Sequence, residues 1–369
     1  MKILKFSLLL AATIGFLFYC SPAGKEQPTR QGRRGLVDTV GFAHLAWQTD
    51  SVMARIRRLQ GDLLDEAYLR TELNEQQAWK VAISPHDDYT YVGYLYPAVL
   101  RNVKAPIVIL FGVAHKARKL NLENRIIFDS YAKWRGPYGD IPVSPLREAI
   151  IVRLPQDIFQ INNRMQGMEH SVEAILPFLQ YFNRKVQIVS ILVPYMSYRR
   201  MDEIARPLAA AIHEATHALG LSWGKDFALV ISTDAVHYGD RDWGGKNFAF
   251  YGADSGGYKR AVAHESEIIN NCLIGALRAK KLERFTQYTV KSDDYKAYKW
   301  TWCGRYSVPF GLLTAFYLQQ ATGFELNGTL VGYATSIDHP HLPVDDLRMG
   351  VTAPADIHHW VGYVAIGYR

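Results

Sequence analysis

Three apolar runs along the chain end in the same way. The run at residues 81–83 stops at Ser84-Pro85 and hands over to His86, Asp87, Asp88 and Tyr89. Ile107-Val108-Ile109-Leu110-Phe111-Gly112 ends shortly before His115, and Phe227-Ala228-Leu229-Val230-Ile231-Ser232 ends just before Asp234 and His237. Short apolar runs that stop at turn residues read as strands. Ionisable residues directly after such strands fall at the carboxyl edge of a sheet, where open α/β folds keep their ligand sites. One histidine after a strand is more often a structural loop residue. Three strands ending alike point to a shared site.

Between these runs the period changes to helical. Val52, Ile56, Leu59 and Leu63 make a stripe that predicts a helix over residues 51–64, with Arg55, Arg57 and Arg58 off it. A second helix is expected at 93–101. Trp134-Arg135-Gly136-Pro137-Tyr138-Gly139-Asp140 is turn-rich and precedes an extended piece at 141–143. A helix is expected from residue 168 to Phe182, with Ser171 as its cap and Glu173 in its first turn. A β-branched strand at 186–193 stops at Pro194, and a helix at 202–219 closes at Gly220. Further helices are expected at 264–279 and 308–318, and extended pieces at 329–334 and 361–366. Strands alternating with helices predict an α/β fold, one domain around a central mixed sheet flanked by helices.

Composition narrows this only slightly. A chain of 369 residues can bury a substantial core. The net charge of +7 would suit a nucleic-acid binder, but the cations are scattered. Their densest group, residues 30–34, reads as a solvated linker, so no nucleic-acid partner is expected.

The N-terminus carries Lys2 and Lys5 and then an apolar run at 6–18, too short to cross a bilayer comfortably. It reads as a signal peptide. Leu17-Phe18-Tyr19-Cys20-Ser21 resembles a bacterial lipoprotein signal, with Cys20 acylated as the mature N-terminus and the protein lipid-anchored to the cell envelope. Tyr19 departs from that pattern, where a small residue is usual; periplasmic or soluble secretion and an uncleaved anchor are the alternatives. The expected division is a signal at 1–20, a polar linker at 21–36 and the α/β domain at 37–369. Of the other cysteines, Cys272 and Cys303 could pair, or one could be a ligand.

His213-Glu214-Ala215-Thr216-His217 is a literal H-E-x-x-H, the zinc metalloprotease pattern. The extended form of that motif would place its third ligand at Trp223, which cannot serve. At about 100° per residue, Ile204, Leu208, Ala211, Ile212, Ala215 and Leu219 fall on one stripe, with both histidines roughly opposite. The helix is expected to point them at water.

His86, His115, His237 and Cys303 each follow an apolar run and precede a turn or helix. Imidazoles with a thiolate suit a first-row metal and leave positions open for substrate. Cys303 precedes a helix whose N-terminus would lower its thiol pKa. Asp234 is placed to orient His237 and favour its charged form.

At these residues the chain resembles a known family. Ser84-Pro85-His86-x-x-Tyr89 with Gly93, Gly112-x-x-His115, Glu169-His170-Ser171-x-Glu173, Asp234-x-x-His237-Tyr238-Gly239 and Cys303-Gly304-Arg305 are similar to successive signatures of the Memo family, which includes protein B of the AmmeMemoRadiSam system. The resemblance implies a fold similar to class III extradiol dioxygenases, with the site at the base of a vestibule. It implies iron, or copper, held by His86, His115 and Cys303, with His237 as the acid/base and Asp234 and His170 lining or supporting the site. It leaves two functions open. One is a redox enzyme oxidising a small organic substrate. The other is a non-catalytic surface lipoprotein that holds metal or receives a peptide in the vestibule, since family members are associated with phosphotyrosine peptides and metal handling. Asp87 and Asp88 depart from the family's Ala-Gly: they would either recruit a harder ion or face solvent and cap a turn. Ala114 and Lys116 also depart, from a hydroxyl residue and a second histidine.

Overall fold

In the computed structural model, which describes residues 31–71, 73 and 77–369, the apolar runs become neighbouring strands. In chain order the strands are β1 (Gln31–Arg34), β2 (Val81–Ser84), β3 (Ile107–Val113), β4 (Ile126–Phe128), β5 (Tyr131–Gly136), β6 (Gly139–Pro142), β7 (Phe159–Ile161), β8 (Gln187–Val193), β9 (Phe227–Ser232), β10 (His237–Gly239), β11 (Gly275–Ala276), β12 (Asn327–Thr335) and β13 (His359–Tyr368). The large sheet runs β11-β12-β13-β2-β9-β3-β8-β4-β7, with β10 paired to β13. Its centre, β2-β9-β3-β8, is parallel, and β13 and β4 close on either side antiparallel, so the sheet is mixed.

Both faces of that centre are covered, which is why its strands are apolar without alternation. On one face Ile83, Ile109, Phe111 and Ile231 pack under the helices Tyr198–Ala218 and Ser307–Thr322. On the other, Ala82, Val108, Leu110 and Val230 pack under Leu95–Leu100 and Leu176–Phe182. Register sets the site: Ser84 is level with Ser232, and Phe111 with Ile231. The carboxyl ends of β2, β3 and β9 therefore open on one edge, and His86, His115 and Asp234 each stand just beyond it.

Local differences from the sequence reading have identifiable causes. The helix expected at 51–64 is two, Ala46–Leu59 and Gly61–Thr71. They divide at Gln60, whose side chain accepts from Tyr94 N and donates to the Pro340 carbonyl. Leu59, at the end of the first, is exposed rather than on the buried stripe. The helix expected at 93–101 is Leu95–Leu100; a separate short helix, Tyr89–Val92, precedes it and ends at Gly93, which takes φ +50°. The turn-rich segment at Trp134 is the hairpin β5–β6, with Trp134 buried within a strand. No continuous helix runs from 168: a loop precedes a single turn at Glu173–Ile175 and the helix Leu176–Phe182. Ser171 donates to the Val113 carbonyl instead of capping. The helix expected at 264–279 lies earlier, at Ser255–Cys272, capped by Asp254.

The solvated-linker reading fails at Arg34. β1 pairs with β5, and Arg34 is 1% exposed. Cys20 and the expected signal lie outside the described residues. Among the described residues no helix is long and apolar enough to cross a membrane.

On the helix Tyr198–Ala218, Ile204, Leu208, Ala211, Ile212 and Ala215 are buried, while His213 is half-buried and His217 exposed. Leu219 falls beyond the last turn and is exposed, unlike the rest of its expected stripe. Neither histidine joins a ligand group among the described residues.

Candidate metal centre

His86, His115 and Cys303 converge. The ligand atoms of the three lie within 4.8 Å of one another. Cys303 Sγ is 3.1 Å from His115 Nε2 and 3.4 Å from His86 Nε2, and the two rings meet edge to face at 5.2 Å. The sulfur comes from an element the strands do not supply. Trp302 bridges to Val236, and Cys303 then turns through Gly304 into the helix Ser307–Thr322.

Hydrogen bonding fixes how each imidazole presents itself. Ser232 Oγ lies 2.6 Å from the Ser171 carbonyl, which can only accept, so the hydroxyl hydrogen is spent there. The same oxygen is 2.7 Å from His86 Nδ1 and therefore accepts from it. His86 carries its proton on Nδ1 and turns the Nε2 lone pair toward Cys303. His115 Nδ1 stands 2.8 Å from Glu169 Oε1 and donates to that carboxylate, which leaves its Nε2 facing the sulfur. This is the support metal-ligating histidines receive. One tripeptide, Glu169-His170-Ser171, thus sets both rings, His115 directly and His86 through Ser232.

Glu169 is well satisfied. Its carboxylate also accepts from the backbone N–H groups of His115, His170 and Ser171. Burial would raise this carboxyl, but His115 and these donors bring it down to about 2. Burial would likewise lower His115, yet Glu169 and Cys303 hold it well above the usual imidazole range. For His86 burial and the neighbouring histidines act together to push the value well down. Cys303 departs from the expected direction: burial raises its thiol despite the opposing pull of His115, so the helix N-terminus does not dominate.

Asp234 does not do what its spacing from His237 suggested. Its Oδ1 accepts from His86 N at 2.9 Å, and Oδ2 lies 3.2 Å from His86 Nε2. Burial and the neighbouring Asp87 raise its carboxyl well above the usual range. His237 is left without that partner: its Nε2 is buried and unpaired, and burial and His115 bring its pKa to about 3. It is neutral, not charged, at pH 7. With Asp234 and Cys303 it forms a second potential ligand group. His170 stacks on His115 at 4.6 Å, and burial and that neighbour lower it to about 4.

Asp87 is half-buried and Asp88 buried, and neither joins a ligand group among the described residues. Asp87 accepts from Tyr363 Oη at 2.7 Å, and buried Asp88 accepts from the backbone and hydroxyl of Thr352. Cys272 and Cys303 are both free, with Cys272 deep in the core.

Three supporting residues escaped the sequence reading. Ser232 looked like the last residue of a strand. Glu265, in mid-helix, accepts from Val236 N at 3.1 Å and from Trp300 Nε1 at 2.5 Å, tying together the loops that carry His237 and Cys303. Trp243 stacks on His359 at 3.8 Å and approaches His237 at 5.2 Å. None has a spacing signal, since each acts across the chain.

The mixed sheet with its site at the carboxyl edge, histidines just beyond successive strand ends and a cysteine in the turn before a helix make an α/β fold consistent with that of the extradiol dioxygenases. Residues 54–345 match the Memo-like protein family, and the chain belongs to it. A MEMO1 family protein of Pyrococcus furiosus is 26% identical over 276 residues, covering 69% of this chain and 85% of the relative. Another, of Pyrococcus abyssi, is 25% identical over 272 residues with the same coverage. A third, of Aquifex aeolicus, is 30% identical over 162 residues, 43% of this chain and 54% of the relative.

Proposed function

We propose that the chain holds one first-row transition-metal ion, iron or copper, through His86 Nε2, His115 Nε2 and Cys303 Sγ, and acts in redox chemistry on a small organic substrate. The observation that carries this reading is the hydrogen bonding at the two Nδ1 atoms, which turns both imidazole Nε2 atoms toward one sulfur. Two imidazoles and a thiolate suit a borderline or soft ion, and three protein donors leave coordination positions free. A bound metal would supply Lewis acidity and one-electron exchange. The protein's own part is to orient the rings through Glu169 and Ser232, to keep His237 neutral as a hydrogen-bonding group, and to hold the Asp234 carboxyl against His86. His170, stacked on His115, would border the space above it.

The second reading is a non-catalytic metal- or peptide-binding protein. It is favoured by His237, whose displacement to about 3 removes a proton shuttle poised near neutral pH. In either case Cys20 would be the lipid attachment point and the cell envelope the location.

Elemental analysis of protein purified with and without oxygen tests the metal: stoichiometric iron or copper in the native chain, lost in His86→Ala, is expected, and unchanged content in the variant refutes the ligand set. Oxygen uptake by the iron-loaded protein with catechol-type substrates separates the readings. Turnover abolished by His237→Ala supports the enzyme; retained metal without turnover supports the binder.

A further inference from the structure

We infer that Arg34 is a positioning residue of the metal centre, acting through Glu169-His170-Ser171; this rests on the metal reading above. The residue comes from β1, well before any candidate ligand and ahead of the segment that matches the family.

The guanidinium uses its fork on that loop. Nη2 donates to the Glu169 carbonyl, Nε donates to the Gln166 carbonyl at 3.2 Å, and Nη1 pairs with the Glu173 carboxylate. Its face lies 4.3 Å from the Trp134 ring, which fixes its plane. Trp134 is itself held, its Nε1 donating to Asp129 Oδ2 at 2.6 Å, and Asp129 pairs with buried Arg147. Glu173 completes the clamp by accepting from the backbone of Val37 and Asp38, next to β1. Both ends of the loop are therefore pinned from behind by one planar cation.

The front of the same loop faces the two histidines. Glu169 gives His115 its acceptor, and the Ser171 carbonyl takes the Ser232 hydrogen on which the His86 orientation depends. Among the described residues no other side chain bonds to residues 166, 169 and 173 together. An arginine suits the task because planar, multidentate donation is what lysine lacks. Moving the loop by a fraction of an ångström would misaim both imidazoles, because hydrogen bonds to ring nitrogens weaken steeply with angle. The loss of outer supports of this kind typically weakens metal affinity by roughly 10- to 100-fold.

The test compares the full chain with Arg34→Met and Arg34→Lys. Two quantities are read: affinity and absorption spectrum on titration with Co(II) against a competing chelator, and the low-field imidazole Nδ1–H resonances of the metal-free protein. Arg34→Met is expected to bind Co(II) roughly 10- to 100-fold more weakly and to lose the exchange-protected His86 and His115 resonances. Arg34→Lys should fall between, and millimolar methylguanidinium should restore part of the Arg34→Met loss. A folded Arg34→Met with wild-type affinity, spectrum and resonances overturns the inference. Where Arg34→Met does not fold, Arg34→Lys decides: wild-type values there overturn it equally. If the wild-type chain takes up no metal, the metal reading fails on its own, and the resonances of the metal-free proteins still decide the role of Arg34.

Discussion

Ser232 Oγ accepts from His86 Nδ1 at 2.7 Å while donating to the Ser171 carbonyl at 2.6 Å, so a strand-end hydroxyl decides which nitrogen of His86 is bare. Ser232→Ala removes the acceptor without adding bulk. It is expected to weaken metal binding roughly 10-fold or more, with the fold intact by circular dichroism. A chelator competition against wild type checks this; unchanged affinity would remove Ser232 from the site.

Gly304 links Cys303 to the helix Ser307–Thr322 in a crowded place. A Cβ there would stand 2.1 Å from Thr233 Oγ1 and 2.5 Å from Thr233 Cβ. Gly304→Ala should therefore force a shift of the turn and destabilise by about 1–3 kcal/mol. Because the turn carries the sulfur, the thiolate-to-metal charge-transfer band of a Co(II) derivative should also weaken. Urea unfolding and that spectrum, taken together, measure both effects.

Glu265 predicts a pH dependence of stability. Burial raises its carboxyl to about 8, against an ordinary 4.5, despite the donors Trp300 and Val236. Below the ordinary value both folded and unfolded chains hold the proton. Between the two values only the folded chain does, so stability falls as pH rises, at up to about 1.4 kcal/mol per pH unit. Glu265→Gln cannot ionise. The difference in urea midpoint between wild type and Glu265→Gln should shift in favour of the variant from pH 5.5 to pH 7.5; a constant difference would show that the carboxyl ionises normally.

The H-E-x-x-H sequence on the helix Tyr198–Ala218 is expected to be inert. His213→Ala and His217→Ala should leave metal content unchanged and shift stability by no more than about 0.5 kcal/mol, as for surface changes that break no buried contact. Loss of bound metal in the double variant would reopen the zinc reading.

Much of this was legible in the sequence because the relevant signals are local. The apolar runs before His86, His115 and Asp234 are continuous, as strands buried on both faces must be, and each names its own site residue. The inert face of His213 and His217 follows from helical geometry. The partner of Asp234 was not legible, since proximity in the chain favoured His237 while the fold delivered His86. The direction of the Cys303 shift was missed for a similar reason: a helix start is visible in sequence, but complete burial is not. Arg34 was read as linker because a basic run before a folded domain is normally solvated. Its partners, Glu173 and the Glu169 carbonyl, lie more than a hundred residues away.

That Glu169-His170-Ser171 serves both rings has a bearing on how this centre can change. A substitution within the tripeptide disturbs the two nitrogen donors in concert, so neither can be retuned alone by that route. The sulfur hangs from a separate turn and is free of this bond. Any shift of metal preference, in evolution or by redesign, should therefore find its easiest opening at position 303 itself.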